Sequence, residues 1–167
     1  MDAAELRILQ APLKQRYREH PESAQTPLTA TAEWSESGVT CTVDGFAGPV
    51  RAGLHPATGG DGTDACSGDM LLEALLACVG VTLRSVATAM NLELHDVRLT
   101  ARSSFDARGT LGTDRGTPVG IGPVDVKISA STDAPAETIE RLLATTERYC
   151  VVGQSLAVPP RLSFQRV

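Results

Sequence analysis

Apolar residues crowd one stretch of this chain more than any other. Between Ser67 and Met90 the only charged residues are Asp69, Glu73 and Arg84. Met70, Leu71, Leu72, Leu75, Leu76, Val79, Val81, Leu83, Val86 and Met90 fall on nearly every face of a helix. A helix that is apolar all round belongs in a protein core or a membrane. Its uninterrupted run, Ala74 to Leu83, is closed by Glu73 and Arg84 and is far short of the roughly 20 residues a bilayer needs. The pattern predicts a long buried core helix over Cys66–Asn91, with Cys78 in its middle.

The other elements arrange themselves around that stretch. Leu6, Leu9, Leu13 and Tyr17 recur at helical spacing over residues 2–19, with Pro12 as the candidate point for a kink or split. The proline-bearing segment HPESAQTP follows as a linker, so residues 1–25 read as an N-terminal helical arm and residues 26–167 as the main domain. Alternation predicts strands over Leu28–Trp34 and Val39–Val43, joined by Ser35-Glu36-Ser37-Gly38 as a hairpin turn. A third strand is expected over Val50–Leu54, followed by the glycine-rich loop His55–Asp64. That loop has neither the glycine spacing nor the lysine of a phosphate-binding loop. Beyond the long helix, strands are expected over Glu93–Phe105 and Val124–Ser129. A second helix opens at Asp133 as N-cap and ends near Tyr149-Cys150, and Leu162–Phe164 closes the chain as a strand. Runs of strands separated by only two helices predict an α+β fold, an antiparallel sheet wrapped around the long helix.

Composition narrows the function classes. A net charge of −5 with no Lys/Arg cluster argues against nucleic acid. Hydrophobic content of 42% with 21% charged residues is ordinary for a soluble globule. MDAAELRILQ has no apolar core of signal-peptide length, so the expected compartment is the cytoplasm. There, four cysteines are free, catalytic or metal-bound more often than they are a structural framework.

Spacing sorts the cysteines further. Cys66 and Cys78, both helical, would lie about 18 Å apart along the axis, too far for a disulfide. No CxxC is present, and His20, His55 and His95 show no ligand spacing to a cysteine, so no metal and no cofactor are expected. Cys78 alone reads first as inert packing, since free cysteine is a small hydrophobe. Cys150 follows Glu147-Arg148-Tyr149 at a helix end, where a thiol can be reached and can move. A helix C-terminus does not favour a thiolate, which suits a thiol that attacks second rather than first.

Two segments together, LLEALLACVGVTLRSVATAMNLEL and TTERYCVVGQSL, resemble the OsmC/Ohr family (osmotically induced protein C and organic hydroperoxide resistance protein). That family carries its first cysteine on a long central helix in an A-x-x-A-C setting, matched by Ala74 to Cys78. Its second lies at a Cys-Pro-Val-Ser-like motif before a short helix and the final strand. Cys150-Val151-Val152-Gly153 stands there without the proline. The resemblance covers about residues 28–167. It implies a homodimeric thiol peroxidase in which Cys78 attacks an organic hydroperoxide, Cys150 resolves the sulfenic acid as a Cys78–Cys150 disulfide, and an external dithiol reduces it. The family's activating arginine, near the first hairpin turn, and its glutamate, before the glycine-rich loop, are not at their places. Arg51 is the expected replacement cation, with His55 as the other candidate. On this reading Leu71, Leu75 and Val81 wall the substrate pocket, and Thr82 and Ser85 offer hydroxyls. Glu73 and Arg84 are expected as a structural ion pair, and Cys41 and Cys66 as dispensable.

Two other readings stay open on the sequence. An OsmC-like scaffold can bind a ligand in its apolar pocket without redox turnover. A long helix wrapped by a sheet also describes acyl-thioester hydrolases of the hotdog fold, with Asp69 or Glu73 as the acidic group.

Overall fold

A computed structural model describes residues 1–34 and 37–167. In chain order the elements are α1 (Ala3–Glu19), β1 (Thr31–Glu33), β2 (Thr40–Gly45), β3 (Gly48–Gly53), β4 (Ala65–Cys66), α2 (Ser67–Ala89), β5 (His95–Arg102), α3 (Ala107–Thr110), β6 (Asp125–Ser131), α4 (Ala136–Tyr149), α5 (Val151–Gln154) and β7 (Arg161–Arg166). This is the mixed α+β fold expected, and the long helix lies where the apolar stretch put it. The expected turn at Ser35-Glu36 lies outside the described residues.

The chain divides into two compact units. One combines residues 1–27, 75–101 and 125–167; the other combines residues 28–74 and 102–124. The first contains a three-stranded sheet in the order β5-β6-β7, with β6 and β7 parallel. A parallel pair needs a crossover connection, and α4 with α5 supplies it. Strand β6 alternates in burial, hiding Val126, Ile128 and Ala130. Helix α4 hides Ile139, Leu142, Thr146 and then Cys150, spaced three or four residues apart along one face. From α2 come Leu75, Val79, Leu83 and Ala87, a stripe at i, i+4. Leu75, Val79, Ile128 and Leu142 have no exposed surface. Burial of each such side chain contributes about 1.5–3 kcal/mol.

In the second unit β1, β2 and β3 are antiparallel, with Thr42 opposite both Glu33 and Arg51. The two-residue β4 pairs parallel to β3, an edge too short to register in a periodicity. Both sheets therefore contain a parallel pair where an antiparallel sheet was expected. Among the described residues only Val124 in this unit is a buried hydrophobic, whereas Trp34, Val39, Phe46 and Val50 are exposed.

The long helix departs from expectation in one respect. Its sequence is apolar on nearly all sides, yet the chain covers a single stripe, and Val81 on another face is 73% exposed. By length and hydropathy α2 would also pass for a membrane span, a test that core helices of soluble proteins meet too. Helix α1 runs through Pro12 without a break. It starts from a capping box in which Asp2 accepts from the amides of Ala4 and Glu5, and Glu5 accepts from the Asp2 amide. Only Ala3 of α1 is buried; Leu9 and Leu13 of its apolar stripe are exposed. Helix α4 starts at Pro135, with no side-chain cap, so Asp133 does not fill the capping role read from the sequence. The ring of Pro135 fixes an extended entry in its place.

Candidate active site

Two cysteines distant in sequence meet in the first unit. Cys78 lies mid-helix on α2, at the edge of the buried stripe, and is half-buried. Cys150 sits between α4 and α5 and is 1% exposed. This reverses the accessibility expected from the sequence, where the helix end was to leave Cys150 reachable. The chain turns inward after Tyr149. The Cys150 amide donates to the Thr146 carbonyl, while the Cys150 sulfur accepts from the Gly153 amide at 3.3 Å as cap of α5. Gly153 has a packing role in that turn. A Cβ there would lie 3.2 Å from the Cys150 sulfur and 3.4 Å from the Pro160 ring.

The same turn presents a donor to the other thiol: the Val152 amide reaches the Cys78 sulfur at 3.5 Å. Burial pushes the Cys78 thiol up, but hydrogen bonds to the sulfur from the Val152 amide, the Cys150 thiol, the Thr82 hydroxyl and the Val151 amide outweigh it and hold Cys78 below the ordinary cysteine range. Thr82 reaches it because residues four apart share a helix face. Cys150 moves the opposite way. Burial raises it, the Gly153 amide offsets part of that, and its bond to Cys78 keeps the proton on Cys150. One thiol is poised to ionise and its neighbour to stay protonated.

The remaining expected residues are spread out. Leu75 has no exposed surface, whereas Leu71 is 37% exposed and Val81 more so. Ser85 is half-buried. Arg51 belongs to the second unit, on β3, where its Nε lies 3.1 Å from the mostly buried Asp64 carboxylate. Gly53 makes room for that carboxylate, since a Cβ there would lie 2.6 Å from Asp64 Oδ2. His55 is occupied too: its Nδ1 accepts from the Ala57 amide at 3.0 Å, and its ring meets Phe105 edge-on with centroids 5.3 Å apart. Among the described residues neither Glu73 nor Arg84 makes an ion pair, so the expected structural pair is not formed. Cys41 pairs with Ala52 and Cys66 with Gly53, on opposite sides of β3. They are thus two strand spacings apart, roughly 10 Å, and on opposite faces of the sheet. Among the described residues no cluster of His, Cys, Asp and Glu is arranged to hold a metal ion.

Sequence reading missed the backbone amides of Val151 and Val152 and the carboxylate of Asp64. An amide leaves no mark in a sequence. Asp64 had one, as the acidic residue at the end of the glycine-rich loop.

Comparison with known proteins agrees with this architecture. Solved structures with the same fold include an OsmC-like protein from Mycoplasma pneumoniae (TM-score 0.69, 14% identity, 86% of this chain and 99% of that one). An organic hydroperoxide resistance protein OsmC from Legionella pneumophila aligns with TM-score 0.60 at 20% identity, over 86% of this chain and 98% of that one. The organic hydroperoxide resistance protein OhrB of Bacillus subtilis aligns with TM-score 0.58 at 14% identity, over 85% and 98%. No curated protein matches the sequence. The family model for OsmC-like proteins matches residues 60–164, a segment that holds α2, Cys78 and Cys150. The chain belongs to the OsmC-like family.

Proposed function

We propose that this protein is a cysteine-based peroxidase for organic hydroperoxides. The observation that carries the reading is the contact between Cys78 and Cys150, with their ionisation pushed in opposite directions. The half-exposed Cys78 thiolate attacks the distal peroxide oxygen; the O–O bond breaks and the alkoxide leaves, taking a proton to become an alcohol. The product on Cys78 is a sulfenic acid. The Cys150 sulfur then attacks it, its proton departs with the hydroxyl as water, and a Cys78–Cys150 disulfide forms. An external dithiol supplies two electrons and two protons to restore both thiols. The similarly folded proteins of L. pneumophila and B. subtilis are named for organic hydroperoxide resistance, which supports this substrate class.

Hydrogen bonds within the first unit supply much of the activation in this reading. Arg51 as an activating cation remains part of the proposal, checked by the Arg51→Ala rate. Leu71, Leu75 and Val81 are proposed as apolar walls, favouring bulky organic peroxides over hydrogen peroxide. Exposed Val81 on the core helix and the uncovered sheet of the second unit support a homodimer, in which the arm of residues 1–25 packs as an added element on the domain of residues 26–167. Asp69 and Glu73 are both exposed, a poor setting for the acid of a thioester hydrolase.

Thiol titration before and after one equivalent of cumene hydroperoxide is the test. Loss of two thiols, mapped to Cys78 and Cys150, is expected. No loss of thiols would leave ligand binding without turnover as the better reading.

A further inference from the structure

The proposed cycle ends when a dithiol reopens the Cys78–Cys150 disulfide, and the two sulfurs of that bond are not equally open to attack. Thiol–disulfide exchange is an in-line displacement. The incoming thiolate must approach the attacked sulfur from the side opposite its bonded partner, so access to each sulfur matters.

At Cys150 the chain itself leaves no such approach. Cys150 is 1% exposed, and Thr146, one turn earlier on the same face of α4, has no exposed surface. Gly153 closes over the sulfur. Its amide donates to the sulfur at 3.3 Å, and a Cβ on Gly153 would lie 3.2 Å from that sulfur and 3.4 Å from the ring of Pro160, itself buried. The Gln154 amide donates to the Cys150 carbonyl at 2.9 Å, which ties the turn down. Contact with a second copy adds to this cover and cannot remove it. Cys78 differs. It is half-buried on α2, and it is the sulfur that a hydroperoxide must reach in the reading above. A path that admits a peroxide to Cys78 admits a thiolate to the same sulfur.

Two effects oppose each other. The thiol of lower pKa departs faster, and Cys78 is held down while Cys150 is pushed up. Leaving-group ability alone therefore favours attack at Cys150. That preference only grades a rate. Attack at Cys150 first needs the turn from Cys150 to Gln154 to open, and its rate is scaled down by the fraction of time the turn stands open. Access decides the outcome. The fold also eases the departure of Cys150, because the Gly153 amide already points at its sulfur and strengthens its hydrogen bond as the thiolate forms.

We infer that the reductant enters at Cys78, which carries the mixed disulfide, and that Cys150 is the departing sulfur. The inference rests on the peroxidase reading for its disulfide. One thiolate of the dithiol bonds to the Cys78 sulfur as the Cys78–Cys150 bond breaks. The Cys150 sulfur keeps the electron pair and takes a proton from solvent. The second thiolate of the dithiol then attacks the reductant's own sulfur in the mixed disulfide. Cys78 leaves as the thiolate, and the dithiol ends as a cyclic disulfide. Two electrons pass from the dithiol to the protein.

The test starts from the full chain oxidised with diamide, which joins thiols without any peroxide. Glutathione is added, the reaction is stopped early with N-ethylmaleimide in acidic urea, and the peptides are mapped by mass spectrometry. Glutathione on Cys78 with N-ethylmaleimide on Cys150 is expected in roughly tenfold excess over the reverse. Equal amounts, an excess of glutathione on Cys150, or two thiols that diamide leaves unjoined overturns the inference. Where the adduct is too short-lived to collect, the rate of reduction by dithiothreitol decides. It should stay flat across urea concentrations below unfolding. A rate that climbs with urea overturns the inference, because the buried sulfur must then be uncovered first. The two readings fail separately. Thiols untouched by cumene hydroperoxide sink the peroxidase reading, while the disulfide made with diamide still reports the point of attack. A chain that loses both thiols to peroxide yet carries glutathione on Cys150 sinks only the point of attack.

Discussion

The two units of this protein use similar residues to different ends. Each contains a sheet and two of the four cysteines. In the first unit, alternating β6 and the striped faces of α2 and α4 bury a continuous set of side chains, and the same packing brings Cys78 and Cys150 together. In the second, Trp34, Val39, Phe46 and Val50 are exposed, and Cys41 and Cys66 sit on opposite sides of β3. A cysteine acquires chemistry from donors, burial and a neighbouring thiol, and only the first unit provides all three. Its core fixes the geometry that tunes the sulfurs. The second unit shows a sheet that the chain does not cover, the kind of surface that association can bury.

The sharpest contrast between the units is chemical. Cys78→Ser should abolish consumption of cumene hydroperoxide, and Cys150→Ser should allow one turnover that leaves an oxidised Cys78 visible by mass spectrometry. Cys41→Ser and Cys66→Ser should leave the rate within twofold of wild type, the scale on which surface changes act. Turnover lost with Cys66→Ser would erase the distinction between the two pairs.

Stability should divide in the same way. Leu142, with no exposed surface, should cost about 2–5 kcal/mol when changed to Ala, read by urea unfolding. Val39→Ala, at an exposed position of the second unit, should cost under about 0.5 kcal/mol at low protein concentration. If its effect grows with protein concentration, that sheet is covered by a partner. A large cost at every concentration would mean that the second unit has a core of its own.

Much of the first unit was legible in the sequence because its periods are clean. Alternation in Val126-Lys127-Ile128 and the stripe Ile139, Leu142, Leu143 predicted β6 and α4 within two residues. The long helix was legible in extent but not in burial. Composition says that Leu71 and Val81 are apolar, not whether this chain alone hides them. Parallel pairing of β6 with β7 and of β3 with β4 depends on crossovers that no local pattern encodes. At the site, both sulfurs and Thr82 were legible, the former through family likeness. The buried setting of Cys150 was not, because the turn at Val151–Gln154 is set by backbone bonds. Arg51 was visible as a cation, but its engagement with Asp64 emerges only in three dimensions.

Thr146 offers a smaller test of the first unit's core. It has no exposed surface, and among the described residues its hydroxyl has no hydrogen-bond partner. A buried unpaired hydroxyl costs about 1–3 kcal/mol. Thr146→Val keeps the shape and removes that cost, so a gain of about 1 kcal/mol is expected in urea unfolding. A loss of stability would mean that the hydroxyl is satisfied in solution.

The smallest expected effect probes how the Cys78 thiolate is held. Thr82 is one of several groups beside that sulfur that lower it, behind the Val152 amide and the Cys150 thiol, so Thr82→Val should raise the Cys78 pKa only part of the way back toward an ordinary cysteine. The sign follows from ionisation. Cys78 is depressed in the folded protein, so its thiolate contributes stability above the unfolded-state pKa, and that contribution is lost as pH falls through the folded-state value. Reactivity follows the same ionisation, because iodoacetamide takes the thiolate. The wild-type alkylation profile at Cys78 should therefore rise at lower pH than a free cysteine's, and in Thr82→Val the rise should move to higher pH. At neutral pH this slows alkylation by a few-fold, while well above both values the rates converge. Cys150, raised by burial, should stay unlabelled across that range in both proteins, a control within each measurement. If the two profiles superimpose, the Val151 and Val152 amides carry the thiolate without Thr82. If Arg51→Ala moves the profile further than Thr82→Val does, the dominant influence on Cys78 comes from the second unit's charge rather than the first unit's hydrogen bonds.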